Sequence, residues 1–431
     1  MTEHVKIKSA DSNAIHKEST REEKLKVGIG YANESDGFSS GKKVAETAVK
    51  TGGIEKPAIV IAFCSGRLNH DHYFNGLRSV VGNEVPIIGG SAIGIITNKN
   101  HSYEGFPAGA AILESESLTA KVASADGLNK NEKAAGQKLA ETLSGPSAEK
   151  LLLIFYDSIK HAPTETAPPI INASPPLIEG IESAGNPNVP IIGGGVIGDY
   201  GFNATKQFCG SSVNSQCVVG CLLDGNFKPY FRIMHGCVPK DGVYHTVTRV
   251  DGPVLYELDG RSVVELIDEQ YGSDEWRRQL PVNRLAIAVN HGDRFEDFKE
   301  KNFVNRLISG VLPDGKGIVL FEPDLREGDE VIFMMRNGPM MIDSARENSL
   351  ALLEEIIANG EKPSFGLYID CAGRTAVFSD TLTEEASEVQ NACNRYDVPL
   401  IGFYSGVEIA PLPNRSRGLD WTGVLLILAE K

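Results

Sequence analysis

The chain has 431 residues, with 42 Lys and Arg against 57 Asp and Glu, a formal net charge of −15 and 41% hydrophobic residues. That length suits two or three domains, each able to bury its own core. The acidic balance and the lack of a basic stripe exclude nucleic-acid binding, which draws its affinity from phosphate neutralisation, and no apolar run is long enough to span a membrane.

Residues 1–25 are polar, charged in both signs and free of an apolar core segment, so they read as a disordered tail and not as a signal peptide. A cytoplasmic setting follows as the default. Beyond the tail, helix periodicity covers 44–48, an apolar strand covers 58–63, and the phrase Val85-Pro86-Ile87-Ile88-Gly89 precedes a closing strand at 109–113. The same series returns as a helix at 139–143, a strand at 151–156, Val189-Pro190-Ile191-Ile192-Gly193 and a strand at 217–223. A further copy runs through 352–357, 365–369, Val398-Pro399-Leu400-Ile401-Gly402 and 423–428. Each unit reads helix, strand, helix, strand, strand.

Pro190 and Pro399 lie about twice as far apart as Pro86 and Pro190. That interval predicts a fourth, degenerate copy, with a helix at 262–267 and a strand at 285–289. Within it, the strands at 306–308, 317–321 and 330–335 read as an antiparallel meander. The period is too long for a solenoid. The expected fold is α/β: two pseudo-symmetric domains of repeated helix-strand-helix-strand-strand units, with mixed β-sheets and packed helices.

Glycine clusters follow each copy of the phrase: Gly89-Gly90-Ser91, Gly193-Gly194-Gly195 and Gly402-Phe403-Tyr404-Ser405-Gly406. They lack the Lys of a phosphate loop and the full dinucleotide fingerprint. Two readings stay open: bulges and tight turns where a duplicated sheet bends, or room for a small molecule between equivalent loops. The seven cysteines hold no C-x-x-C, and Cys217 and Cys221 stand too far apart on one strand to bond. All read as reduced, buried residues. His70 and His72 form the only tight histidine pair and have no visible third ligand, so no metal site is expected.

Several segments carry a resemblance. Gly198-Asp199 followed by Phe202, Thr205, Phe208 and Gly210, then His235-Gly236-Cys237-Val238-Pro239, Cys371-Ala372-Gly373-Arg374 and Gly402-Phe403-Tyr404-Ser405 with Glu408-Ile409, resemble in order the motifs of the FIST (F-box and intracellular signal transduction) family. The resemblance implies a FIST N-domain over 26–235 and a FIST C-domain over 236–431. Val407 replaces the usual Gly before Glu408, and Gly90 and Ile95 stand where many relatives carry Cys and an acid. It further implies a small-molecule-binding sensory protein, with an amino-acid-like ligand, that acts in trans on a protein partner, since no effector domain fits beside the two FIST regions. Certain bacterial members are described as haem-binding nitric-oxide sensors, which makes haem the alternative cofactor and His235, Cys237 and His245 its axial candidates.

The residues themselves suggest the ligand chemistry. Arg374 is a fork for a carboxylate, or else an internal partner of Glu408. Cys371, three residues earlier, is either a ligand-contacting thiol sharpened toward thiolate by that cation or a buried structural cysteine. Glu408 and Asp199 are acceptors for an ammonium group, with a turn-forming role open to Asp199. Ser91, Thr205, Tyr404 and Ser405 are donors placed to orient a ligand or to cap turns. The pocket is expected where the loops at 371–374 and 404–408 meet, closed by N-domain glycine turns. An enzyme working through Cys371 stands second, because no base, nucleophile and orienter can be assembled from the sequence.

Overall fold

The computed structural model describes residues 24–144, 150–165, 169–413 and 415–431. The tail expected over 1–25 lies outside the described residues apart from its last two.

Three six-stranded sheets share one strand order. The first runs Lys26–Asn33, Pro107–Glu114, Ile59–Ser65, Ile87–Ala92, then the hairpin Gln207–Gly210 and Ser212–Asn214. The second runs Thr119–Asp126, Cys217–Asp224, Leu151–Asp157, Ile191–Val196, then Val407–Leu412 and Arg415–Leu419. The third runs Lys228–Met234, Gly423–Glu430, Lys362–Cys371, Leu400–Ser405, then Ile95–Thr97 and His101–Ser102. Four strands of each sheet come from one unit, and the last two are a hairpin lent by another. Only the central pair of each unit is parallel: Ile59–Ser65 with Ile87–Ala92, Leu151–Asp157 with Ile191–Val196, and Lys362–Cys371 with Leu400–Ser405.

The repeated phrase now has a physical cause. Its Ile or Leu opens the second strand of each parallel pair, and its Gly must pass close to the first. A Cβ at Gly89 would sit 1.9 Å from the Ala62 carbonyl oxygen, and one at Gly193 would sit 1.8 Å from that of Ile154. No side chain fits there. The glycine clusters are therefore strand residues at a close crossing rather than turns.

Mixed sheets and packed helices are present as expected, but the interval between the second and third phrases holds no fourth copy. Val263–Tyr271 is a helix and Leu285–Asn290 a strand, yet the region builds an antiparallel sheet around Val238–Asp251, Leu285–Asn290 and Glu330–Met335. This sheet is inserted between Lys228–Met234 and the helix Gly338–Ala358 of the third unit. The meander is partial: Ile308–Val311 pairs with Ile318–Leu320, whereas Glu330–Met335 crosses to Val238–Asp251 and Leu285–Asn290. Apolar runs fix strand character, but the direction of the partner depends on the connection, which hydrophobicity does not encode.

The inner faces of the three sheets meet in one core. The Phe63 ring stacks on Phe403 at 4.0 Å and meets Phe155 edge-on at 5.0 Å, so each sheet supplies one aromatic to the centre. Pairs of helices cover the outer faces: Gly37–Gly52 with His70–Val81, Glu132–Leu143 with Ser174–Ala184, and Gly338–Ala358 with Ala386–Arg395. No described helix is long and apolar enough to cross a membrane.

Candidate functional site

The loops that follow the parallel strands converge at one end of the core. Cys371 and Ser405 are register partners at the ends of their strands. The Gly406 N–H donates to the Gly195 carbonyl at 2.8 Å, and the Tyr404 N–H to the Gly94 carbonyl at 3.2 Å. The expected C-terminal residues and the N-terminal glycine segments thus lie side by side. Cys371, Arg374, Tyr404, Ser405 and Glu408 are all buried.

Ser91 and Asp199 are held elsewhere. The Ser91 hydroxyl bonds His70 Nε2 at 2.8 Å and accepts from the Lys206 N–H at 2.9 Å. Asp199 closes its own turn, accepting from the Gly201 N–H at 2.8 Å and from Asn203 Nδ2 at 3.1 Å. Thr205 donates to the buried Asp157 carboxylate at 2.7 Å, which also accepts from the Gln216 and Ile159 N–H groups. His70 and His72 begin the helix His70–Val81, and no His, Cys, Asp or Glu group suited to a metal occurs among the described residues.

Arg374 is fully buried and its guanidinium is ion-paired inside the protein, with Nε and Nη2 lacking a directed hydrogen bond. It pairs with Glu385 and with Asp370 (3.3 Å), and Nη1 donates to the His235 carbonyl at 3.0 Å and the Trp421 carbonyl at 2.7 Å. The internal partner is therefore not Glu408. Glu385 comes from eleven residues downstream and also accepts from the Tyr368 hydroxyl at 3.0 Å. Nor does Arg374 sharpen Cys371 into a thiolate: burial first, then the Glu408 carboxyl, push that thiol well above its ordinary pKa. All seven cysteines are buried and unbridged.

The haem candidates do not offer a free axial set. His235 Nδ1 accepts from the Cys237 N–H at 2.9 Å, and Nε2 bonds the Glu300 carbonyl at 2.9 Å. Burial pushes the Cys237 thiol up to about 12. His245 lies in the inserted sheet with Nδ1 on Asp259 at 2.7 Å and its ring beside Phe333. His245 Nε2 is buried without a partner, but both ring nitrogens of His235 are taken and the Cys237 thiol is held protonated.

Glu408 has a different environment from Arg374. Its Oε1 accepts from the Ser405 hydroxyl at 2.6 Å, while Oε2 is buried without a partner. Its backbone pairs with Leu419, next to Asp420. Asp420 accepts from the Leu307 N–H at 3.0 Å through Oδ2, and its Oδ1 is unpartnered. Arg306, from the inserted sheet, donates to the Gly418 carbonyl at 3.2 Å, and the Ser174 hydroxyl lies against Gly418, where a Cβ would come within 1.8 Å. The Ser174 N–H in turn donates to Glu322 at 3.1 Å. Tyr156 Oη, Ser158 Oγ, both amide atoms of Asn305 and Trp421 Nε1 are likewise buried and unpartnered. Gly195 makes room for two of them, since a Cβ there would sit 2.0 Å from Ser158 Oγ and 3.0 Å from Tyr156 Oη.

Burial raises all three acids of this chain of contacts above the usual carboxylate range. Asp420 reaches about 6, and Glu322 and Glu408 are held well above their ordinary value. Sequence reasoning found Glu408, Ser405 and Cys371 but missed Tyr156, Ser158, Asn305, Glu322, Asp420 and Trp421. One signal was present: polar residues end the first strand of the parallel pair in each unit, as Tyr156-Asp157-Ser158 do in the second. The inserted residues carried none.

The chain matches the model of the FIST N domain over residues 58–261 and that of the FIST C domain over residues 264–411. A 154-residue stretch is 27% identical to an uncharacterized protein of Methanocaldococcus jannaschii, covering 34% of this chain and 29% of that relative's length. Among solved structures, cyanuric acid hydrolase from A. caulinodans aligns over 95% of this chain and 99% of its own, at 9% identity and a TM-score of 0.35. PurLQS from Thermotoga maritima aligns over 94% of this chain and 72% of its own, at 8% identity and a TM-score of 0.22. Scores this low carry no argument about fold or activity.

Proposed function

Because this chain belongs to the FIST family, whose domains are associated with signal-transduction sensing and small-ligand binding, we propose that it is a sensor that holds an amino-acid-like ligand at Cys371, Tyr404, Ser405 and Glu408 and signals to a protein partner in trans. The observation that carries this reading is Glu408: a fully buried carboxyl with one oxygen on Ser405 and the other facing no protein donor. Buried polar groups are ordinarily paired, and such orphans mark places where another molecule completes the bonding. Tyr404 Oη, buried and unpartnered on the adjoining strand, adds a second polar group.

Ser91 and Asp199, held by their own hydrogen bonds, stay outside the proposed site. Arg374 enters as the clamp beneath it rather than as a ligand contact. We keep the domain boundary at 235/236 and the cytoplasmic setting as parts of the proposal. The latter is supported by seven buried, unbridged cysteines. An enzyme using Cys371 is the weaker reading, because its thiol is held protonated and neither ring nitrogen of His235 is free to act as base.

Thermal shift with the twenty proteinogenic amino acids tests the reading. A ligand at 100 times its Kd stabilises the folded state by about 2.7 kcal/mol, and Ser405→Ala should remove that gain. A panel in which no compound stabilises the protein, or one whose gain survives in both Ser405→Ala and Glu408→Gln, would overturn it.

A further inference from the structure

Deepening the proposed function, and resting on its assignment of a ligand to the buried centre, we infer that the ligand is recognised through a cationic nitrogen, an ammonium or amidinium group, held among Glu408, Asp420 and Glu322 beside the Tyr156 hydroxyl. The argument begins with contiguity. Glu408 pairs across the strand with Leu419, Asp420 follows it, Arg306 reaches Gly418 and lies 4.0 Å from Asp420, Ser174 lies against Gly418, and Glu322 binds Ser174. These contacts join the end of the second sheet to the inserted sheet. Three carboxyls, 0–1% exposed, occupy this short path.

Charge does not balance along it. Arg306 is the cation in reach, and its Nε and Nη2 are committed to Asp324, while Nη1 donates to the carbonyls of Asn305 and Gly418. Arg417, half-buried nearby, has Asp324 and Glu182 as its nearest acids. Arg374 is committed to Asp370 and Glu385. Glu408 and Glu322 therefore have no ion pair among the described residues, and Asp420 has only a share of Arg306 at 4.0 Å. A buried acid without a partner must either keep its proton or receive a positive charge.

The second observation is independent of charge. Tyr156 Oη is fully buried, has no partner, and is reached by the fields of Glu322, Asp420 and Glu408. With it stand Glu408 Oε2, Asp420 Oδ1, Asn172 Oδ1, Asn305 Oδ1 and Ser174 Oγ, all able to accept. Unpartnered buried donors occur in the neighbouring segments as well: Asn305 Nδ2, Trp421 Nε1, Arg417 Nε, and Nε and Nη2 of Arg374. Three buried carboxyls on one short path suit a group with several N–H donors and a positive charge. A carboxylate there would meet the same three acids as like charges.

The test separates the two ends of an amino acid. The full-length protein is titrated with three arms: the twenty amino acids, the primary amines left by removing the carboxylate, and the carboxylic acids left by removing the amino group. At least one amino acid or amine should bind, and the deaminated acids should not. Glu408→Gln should weaken that binding at least tenfold, and so should Tyr156→Phe, which removes only a hydroxyl and keeps the buried ring. A deaminated acid that binds as well as its amine, losing affinity in Glu408→Gln, would overturn the cationic inference and leave the ligand centre standing. An amine whose affinity is unchanged in both variants would overturn the placement. Silence in all three arms would overturn the ligand centre itself.

Discussion

Two buried charged clusters lie at the same end of the core, and they are balanced in opposite ways. Around Arg374 one guanidinium is ion-paired with two carboxyls and donates to two backbone carbonyls, so the charge is balanced and the segments bearing His235, Asp370, Glu385 and Trp421 are tied together, although Arg374 Nε and Nη2, Asp370 Oδ1 and Glu385 Oε2 lack a hydrogen bond. Around Glu408, three carboxyls share an interior in which the one ion pair to any of them among the described residues is Arg306 with Asp420 at 4.0 Å, and Arg306 is hydrogen-bonded to Asp324 instead. The first arrangement is a clamp whose charges are balanced within the protein. The second leaves acceptors that the protein does not satisfy. Burial alone therefore does not separate structural from functional polar residues here; the accounting of partners does.

The largest expected effect belongs to the clamp. Arg374→Ala should lower stability by about 3–5 kcal/mol, the range for breaking a buried pair from one side, with ligand affinity per folded molecule unchanged. Urea unfolding measures the first and titration of the refolded fraction the second. A loss below about 1 kcal/mol would erase the contrast between the clusters.

The next effect is a pH dependence from the acid-rich side. The folded pKa of Asp420, about 6, lies above its ordinary value of 3.8, so the folded state holds this proton longer than the unfolded chain. Its stabilising contribution is complete below about pH 4 and is lost as pH rises to about 6, at about 1.4 kcal/mol for each tenfold difference in proton affinity between the folded and unfolded states. Other carboxyls, among them Asp324, are lowered and slope the opposite way. The quantity to measure is thus wild type minus Asp420→Asn in urea unfolding at pH 4, 5, 6 and 7. Equal slopes in the two proteins would sink it.

Smaller still is Glu408→Gln. The glutamine keeps the shape and a hydrogen-bonding oxygen for Ser405 while removing a carboxyl whose charged form burial disfavours, so stability at pH 8 should stay level or rise by about 1 kcal/mol. A large loss would show that Glu408 is a structural ion like those at Arg374. The smallest effect is Asp199→Ala, which removes turn bonds at the surface. It should cost on the order of 0.5–1 kcal/mol and leave binding of any amine unchanged, and a lost ligand response would return Asp199 to the site.

The candidate centre was half legible. Cys371, Ser405 and Glu408 end strands of a recognisable unit, and their neighbourhood follows from the parallel pairing of Lys362–Cys371 with Leu400–Ser405. Asn305, Glu322 and Asp420 were not legible, because their approach depends on how the inserted sheet docks. The partner of Arg374 was misjudged for a similar reason: Glu385 lies in a loop with no periodicity to fix its direction, while Glu408 sat on a strand whose place could be guessed.

Sequence alone determined the three V-P-(Ile/Leu)-Ile-Gly strands, their apolar parallel partners and the covering helices, since hydrophobic period and an obligatory glycine at a close backbone crossing are local properties. Tertiary structure decided the rest. The hairpin Ile95–Thr97 with His101–Ser102 joins the third unit's sheet, and Val407–Leu412 with Arg415–Leu419 joins the second's, because an edge strand offers the same backbone donors and acceptors to any neighbour in reach. How the buried acids are paired was settled only when those exchanges and the inserted sheet brought Arg306 to Asp324, with Asp420 at 4.0 Å, and left Glu408 and Glu322 without an ion pair among the described residues.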